Sequence, residues 1–315
     1  MFFEVLLFSL SVTTPIFVWL CLGIGLNFAG WLPQRLSAMG TWFVFHISLP
    51  LLMFTSISRQ PLLDAVQPRL TLVLLGCTLM VYWLAKVWSR RQQMMPNQAT
   101  VFQQGALRGN LGIVGLSLCL NAYGSDALAT VSVLMALVTV LYNVLSVVLF
   151  VRGMSDDPVS IGQLFKQIFS NPLIVAIVAG LPISLARLSL PDWFVVSSET
   201  VISVSLPLAL VCIGASMNYR DVREGLALLW QVSAFKLVLM PVVAVGILLL
   251  LGVHGQSLGT AFLLCASPTA AASYVVARAY GGDAALAANI VVFTTVLSLV
   301  SISAGVFMLS FFGLM

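Results

Sequence analysis

The sequence predicts an all-α polytopic membrane protein of ten transmembrane helices, arranged as two inverted five-helix repeats with broken, crossing helices four and nine. Three observations carry that expectation: the composition, an internal repeat at fixed offset, and two helix-breaking segments at matched places in the repeat. Of 315 residues, 60% are hydrophobic and 8% charged, against about 25% charged in soluble domains. Too few charges remain to coat a soluble core of this length. The net charge of +4 reads as loop lysines and arginines, since no basic run with interleaved aromatics marks a nucleic-acid partner. Cys21, Cys77, Cys119, Cys212 and Cys265 fall in apolar stretches without CxxC spacing, which reads as small packing residues rather than disulfides or metal ligands. Glu4 without a basic n-region makes the first apolar stretch a retained span.

The repeat is read from three ungapped matches. Ser48-Leu49-Pro50-Leu51 recurs as Ser205-Leu206-Pro207-Leu208, Tyr123-Gly124-Ser125-Asp126 as Tyr280-Gly281-Gly282-Asp283, and Pro15 as Pro172, each at an offset of 157. Hydrocarbon about 30 Å thick needs roughly 20 apolar residues per helix. On that ruler the first half offers spans at 5–26, 38–57, 70–88, 101–120 and 128–151, and the second at 171–188, 197–217, 226–251, 258–280 and 285–310. Five crossings per half is odd, so the second copy is upside down, as in many secondary transporters. The divisions expected are a first repeat over 1–151, a polar cytoplasmic hinge over 152–170 and a second repeat over 171–315. Within the hinge, 159–169 suits a short amphipathic interfacial helix.

Loop cations set the orientation. With the N-terminus outside, Arg35, Lys86, Arg90, Arg91, Arg152, Lys166, Arg220, Arg223 and Arg278 face the cytoplasm, and Arg59, Arg69 and Arg187 the other side. Both termini are therefore expected on the outer face of an inner (plasma) membrane.

The fourth and ninth spans do not suit an ordinary helix. The fourth runs Gly105-Ala106-Leu107-Arg108-Gly109-Asn110-Leu111-Gly112-Ile113-Val114-Gly115, and the ninth Cys265-Ala266-Ser267-Pro268-Thr269-Ala270. The offset pairs Asn110 with Ser267 and Leu111 with Pro268. Opened backbone at membrane depth survives only when buried in protein or lining a wet cavity. Two such breaks brought together would aim half-helix N-termini at one point, which suits an anion such as a carboxylate. Simple close packing is the competing reading of the glycines and proline.

These residues resemble those of the auxin efflux carrier family of membrane transporters, in particular its bacterial members. The likeness rests on Leu49-Pro50, on Asn110 with Gly112 and Gly115, on Asn171-Pro172, on Pro207 followed by Ile213-Gly214-Ala215-Ser216, and on Ser267-Pro268-Thr269 with Ala277, Tyr280 and Gly281. It covers essentially the whole chain. The resemblance implies ten helices, a scaffold and a transport domain, broken helices crossing at the site, and small organic anions as cargo: auxin in plants, dicarboxylates such as malonate or malate in bacteria. Where the family often has a proline seven residues after the span-four asparagine, this chain has Ser117. The break in span four is therefore expected to be softer, carried by glycines.

Embedded charge supplies the remaining candidates. Lys236 lies about ten residues into span eight and Arg108 two residues before Asn110; the repeat partners are Leu79 and Cys265. Each is open to two readings, substrate recognition or a structural pairing. Arginine's planar fork suits a carboxylate. His46 reads as packing or proton coupling, and Asp126 and Asp283 as N-caps of spans five and ten. Asn143 and Asn289 are candidates for lining the cavity. The expected substrate-binding set is thus Arg108, Asn110, Gly112, Ser267, Pro268, Thr269, Pro50, Pro207, Lys236, Asn143 and Asn289, with no catalytic or metal-binding residues and no cofactor. Expected partners are a small organic anion, membrane lipid and a second copy of the chain. The leading function is a secondary carrier of mono- or dicarboxylates by alternating access. The alternatives are a sodium-coupled carrier of the bile-acid-transporter type and a membrane anion receptor that moves nothing. No P-loop, metal cluster or Ser/His/Asp set points to an enzyme.

Overall fold

The computed structural model describes residues 18–59, 67–154, 169–216 and 225–315, with Thr14, Gly162, Phe165 and Lys166. The hinge helix expected over 159–169 and the cations Arg220 and Arg223 fall wholly or mostly outside the described residues, as does the side chain of Asp126. In chain order the helices are α1 (Val18–Phe28), α2 (Arg35–Ser58), α3 (Pro68–Arg91), α4 (Pro96–Leu107), α5 (Leu111–Tyr123), α6 (Leu128–Gly153), α7 (Pro172–Leu185), α8 (Asp192–Ser216), α9 (Leu226–Leu250), α10 (Gly255–Ala266), α11 (Ala271–Ala279) and α12 (Ala284–Phe311). Of these α2, α3, α6, α8, α9 and α12 are each long and apolar enough to cross a membrane, while α1, α5, α7 and α10 are shorter apolar helices. Among the described residues there is no β-strand, only one isolated bridge.

Local chemistry explains the helix boundaries. Pro68, Pro96 and Pro172 open α3, α4 and α7, where the missing N–H would have had no partner. Asn171 caps α7 by accepting from Leu173 N at 2.8 Å, and Asp283 caps α12 by accepting from Leu286 N at 2.9 Å, the role expected of it. Two long helices carry π turns, at Val44–Ser48 in α2 and Ala234–Leu239 in α9. Each lies just before a proline, Pro50 or Pro241, whose ring clashes with the carbonyl four residues back and whose nitrogen cannot close the ladder. Widening the turn relieves both faults.

Element bounds repeat at the offset read from the sequence. Adding 157 to 35–58, 68–91 and 128–153 gives 192–215, 225–248 and 285–310, within two residues of α8, α9 and α12. Mates run antiparallel. Arg59, after the end of α2, pairs with Glu199 near the start of α8 at 2.7 Å, while Ser37 O at the start of α2 accepts from Cys212 Sγ near the end of α8 at 3.5 Å. Trp88 Nε1, near the end of α3, donates to Gln231 Oε1, near the start of α9, at 2.8 Å.

Packing does not follow the two halves. The most extensive contact of α2 is with α7, and α8 joins that pair. Glycines set the distances: a β-carbon at Gly23 on α1 would lie 2.2 Å from Val211 O on α8, one at Gly214 would lie 2.2 Å from Leu20 O, and one at Gly180 on α7 would lie 3.0 Å from Phe54 O on α2. Such small-residue seams let membrane helices touch along their backbones. The other helices, α3–α6 and α9–α12, pack mainly among themselves. One group is therefore α1, α2, α7 and α8, and the cavity described next lies between it and the broken helices.

Candidate anion site at the helix crossing

Helix α4 stops at Leu107 because Arg108 turns extended (φ −86°, ψ 105°), and α10 stops at Ala266 because Ser267 does the same before Pro268 (φ −57°, ψ 138°). The two open segments cross and pair antiparallel through the Gly109–Thr269 bridge. Asn110 N donates to Pro268 O at 2.7 Å, and Ala270 N donates to Arg108 O at 3.1 Å. Backbone groups freed by one break are thus satisfied by the other, which is what burial at membrane depth demands. The softer break expected in span four is not what forms: its backbone opens as fully as the proline-bearing one. Glycine does this by permitting close approach. A β-carbon at Gly109 would lie 2.6 Å from Ser267 Oγ and 2.9 Å from Lys236 Nζ.

Beyond the crossing the chain re-enters helix twice, as α5 through a π turn at Leu111–Gly115 and as α11. Neither N-terminus is capped by a side chain. Both first turns, through Leu111, Gly112 and Ile113 and through Ala271 and Ala272, line a cavity of about 320 Å³. The other walls are one face of α2 (Leu49, Leu52, Met53, Ser56, Ile57), α6 from Ser132 to Tyr142, Ile177 of α7, and Ile202, Ser205 and Ala209 of α8. Position 112 faces open space, with nothing within 4 Å of a β-carbon built there.

Arg108 is the charged side chain among the described residues that line this cavity. It is 4% exposed, and its Nη1 donates to Ser146 Oγ at 3.3 Å. Ser146 also accepts from Gln104 Nε2 at 3.2 Å and donates to Tyr142 O at 2.7 Å. No carboxylate pairs with the guanidinium among the described residues. An arginine carries five donors in a fixed fork; this bond to Ser146 is the one its side chain makes among the described residues. Asn110 also lines the cavity, and no hydrogen bond of its side chain is made among the described residues.

Several expected site residues lie elsewhere. Lys236 is fully buried behind the crossing, donating to Cys265 O at 2.9 Å and to Met240 Sδ at 3.4 Å. It thereby satisfies an orphan carbonyl at the C-terminus of α10, where a cation also meets the negative helix end. Ser267 Oγ donates to Leu264 O at 2.7 Å, and Thr269 Oγ1 to Gly105 O at 2.8 Å while Thr269 N donates to Thr294 Oγ1 at 3.1 Å. Those two hold the crossing and, with Pro268, do not border the cavity. Pro50 and Pro207 lie in α2 and α8 and do not border it; Asn143 donates to Thr139 O at 3.0 Å, and Asn143 and Asn289 each keep a buried side-chain oxygen without a partner among the described residues. His46 is exposed on α2, stacked on Trp42 with ring centroids 4.8 Å apart. The hydroxyls Ser56, Ser132, Thr139 and Tyr142 were missed by sequence reasoning; only their alternation with apolar residues at helical spacing hinted at a cavity face.

Outside the cavity, contacts at the starts of α2 and α7 tie these helices to α11 and the turn that follows it. At the start of α2, Ser37 Oγ accepts from Arg278 Nη1 at 2.8 Å, and at the start of α7 Asn171 Nδ2 donates to Tyr280 OH at 2.8 Å. Tyr280 also meets Phe45 edge-on, with ring centroids 6.2 Å apart. The lining instead runs toward the end of α2 and the start of α6.

A sequence model of the family described as "Membrane transport protein" matches residues 11–305. The chain belongs to that family. This is the auxin efflux carrier family that the motifs resembled, and the chain is accordingly a multi-pass membrane transporter. It is 26% identical over 294 residues to a protein of Rhizobium meliloti (strain 1021) named "Putative malonate transporter", covering 89% of this chain and 91% of that one. It is 23% identical over 310 residues to an "Uncharacterized transporter" of Methanothermobacter thermautotrophicus (strain Delta H), covering 93% and 96%.

Proposed function

We propose that this chain is a secondary carrier of small organic anions, working by alternating access across an inner membrane with the substrate held at the crossing. The observation that carries the reading is Arg108: a cation buried without an acidic partner among the described residues, bordering a cavity into which two uncapped helix N-termini also point. An uncompensated buried charge is costly, and a bound carboxylate would offset that cost with bidentate geometry and helix-end dipoles together. The malonate named for one relative is such an anion.

In this proposal ten spans form two inverted five-helix repeats, α4 with α5 and α10 with α11 each counting as one broken span, and both termini lie outside. The antiparallel mates at an offset of 157 support it. Alternation then consists of the crossing helices moving against α1, α2, α7 and α8, which parts Arg278 from Ser37 and Tyr280 from Asn171. Uptake of a labelled carboxylate by proteoliposomes tests the carrier: binding without uptake identifies a receptor, and loss of uptake when potassium replaces sodium identifies sodium coupling. Tags on the two termini that report opposite sides would end the five-plus-five arrangement.

A further inference from the structure

Far from the cavity, the outward face of α3 changes character within two turns. Leu72 and Leu79 are exposed on it, and Trp83 is 60% exposed one turn further on. Lys86 and Arg90 continue the stripe, since positions 79, 83, 86 and 90 share one helix face. Leu79 to Lys86 spans roughly 10 Å of helix, which fits within one leaflet of hydrocarbon about 15 Å deep. Lys86 Nζ lies 5.9 Å from the centre of the Tyr82 ring, Arg91 follows Arg90, and Arg152 closes α6. The two helix ends are neighbours. A β-carbon at Gly153 would collide with Thr100 Oγ1 at the start of α4, and α4 is tied back to α3 by Gln103 Nε2, which donates to Ser89 Oγ at 2.7 Å. Arg152 is near enough for its charge to act on both Tyr82 and Lys86. No carboxylate pairs with these cations among the described residues; Asp156 and Asp157, which follow Arg152, lie outside them.

We propose that Lys86, Arg90 and Arg152 hold the phosphate of an anionic phospholipid, whose acyl chains lie along Leu79 and Trp83. The C-termini of α3 and α6 carry only about half a negative charge each, too little to balance the cluster. Like charges four apart on one helix, as at Lys86 and Arg90, also repel. A phosphate offsets both faults, and the guanidinium fork matches its oxygens. An exposed tryptophan belongs at headgroup level, and basic sites between membrane helices take acidic headgroups. Ending a helix does not itself require such a cluster. The repeat mates of Lys86, Arg90, Arg91 and Arg152 are Val243, Ile247, Leu248 and Leu309, and α9 and α12 end with no basic residue in the last turn. The apolar stripe running into the cations is what favours a lipid over a soluble phosphate. The site is independent of what the crossing carries.

The experiment is binding to the delipidated full chain in an uncharged detergent, read by native mass spectrometry beside thermal unfolding. The probes are dioleoyl phosphatidylglycerol, dioleoyl phosphatidylcholine and inorganic phosphate. Phosphatidylglycerol should bind about a hundredfold tighter than phosphatidylcholine, three cations at roughly fivefold each, and should raise the unfolding temperature. Arg90→Gln and Arg152→Gln should each weaken it about fivefold and together about twenty-fivefold. Both side chains are exposed, so the empty double variant should unfold at the wild-type temperature. Arg69→Gln, at the other end of α3, should change affinity by less than about twofold, since a surface charge is screened over that distance. Equal binding of the two lipids, or undiminished phosphatidylglycerol binding by the double variant, would overturn the site. Displacement of the lipid by millimolar inorganic phosphate, with the same stabilisation, would overturn the lipid and give the cluster to a soluble phosphate.

Discussion

The two breaks make one crossing from different residues. The ninth opens at a Ser-Pro step, where proline removes a donor and forces its neighbour extended; the fourth opens at Arg-Gly-Asn, with no proline, because Gly109 lets its backbone lie against Ser267 and Lys236. Their charges differ as well. The fourth break turns its arginine to the cavity, whereas the ninth is braced from behind by a lysine of α9 that bonds its last turn. Backbone symmetry here coexists with chemical asymmetry. One cation borders the cavity and the other is occupied by the fold.

The largest expected effect separates those two cations. Arg108→Met should abolish anion binding, at least a hundredfold by the roughly 3–5 kcal/mol attached to breaking a buried charge pair, yet leave or raise the stability of the empty protein, since it removes an unpaired buried charge. Lys236→Met should do the reverse. It strands the Cys265 carbonyl and lowers stability by about 1–3 kcal/mol, with anion affinity within threefold. Isothermal titration beside thermal unfolding for both variants reads each sign; matched losses of affinity would erase the distinction drawn between them.

Next in size is the pair of glycines in span four. Gly109→Ala forces atoms apart at 2.6 Å and 2.9 Å, and should destabilise by about 1–3 kcal/mol, as overpacking does. Gly112→Ala meets nothing within 4 Å and should keep stability unchanged or slightly improved, Ala being the better helix former by about 1 kcal/mol. Its methyl enters the cavity, so bulky anions should lose affinity more than acetate does. Equal destabilisation by both substitutions would remove the cavity from beside position 112.

The smallest expected differences lie between the repeat mates Asn110 and Ser267. Asn110→Ala removes a cavity-facing amide and should weaken binding about fivefold to tenfold, in line with about 1–1.5 kcal/mol for a hydrogen bond. Ser267→Ala loses only a bond to its own helix and should change affinity by less than twofold. The sequence reading gave these two residues the same role. A twofold or smaller effect at both would leave recognition to Arg108 and the backbone.

What the sequence determined by itself was everything that depends on local chemistry and on self-similarity. Apolar content without a charged shell dictates membrane insertion, and the offset of 157 matches three pairs of helix bounds to within two residues. Pro268 marks where one helix opens, because proline cannot continue the ladder, and the glycines of span four mark the stretch in which the other is weakened. Asp283 as a cap is legible for the same reason. Only the tertiary structure decided which side of the crossing each side chain faces. Arg108 and Lys236 look alike in the sequence, as embedded cations near breaks, and so do Asn110 and Ser267. Their fates diverge because the cavity walls come from α2, α6, α7 and α8, and because α9 seats Lys236 on the carbonyl that α10 leaves open. A break specifies the backbone at one point; what fills the space around it is set by helices far away in the chain, and the burial of each polar group follows from which of them it meets.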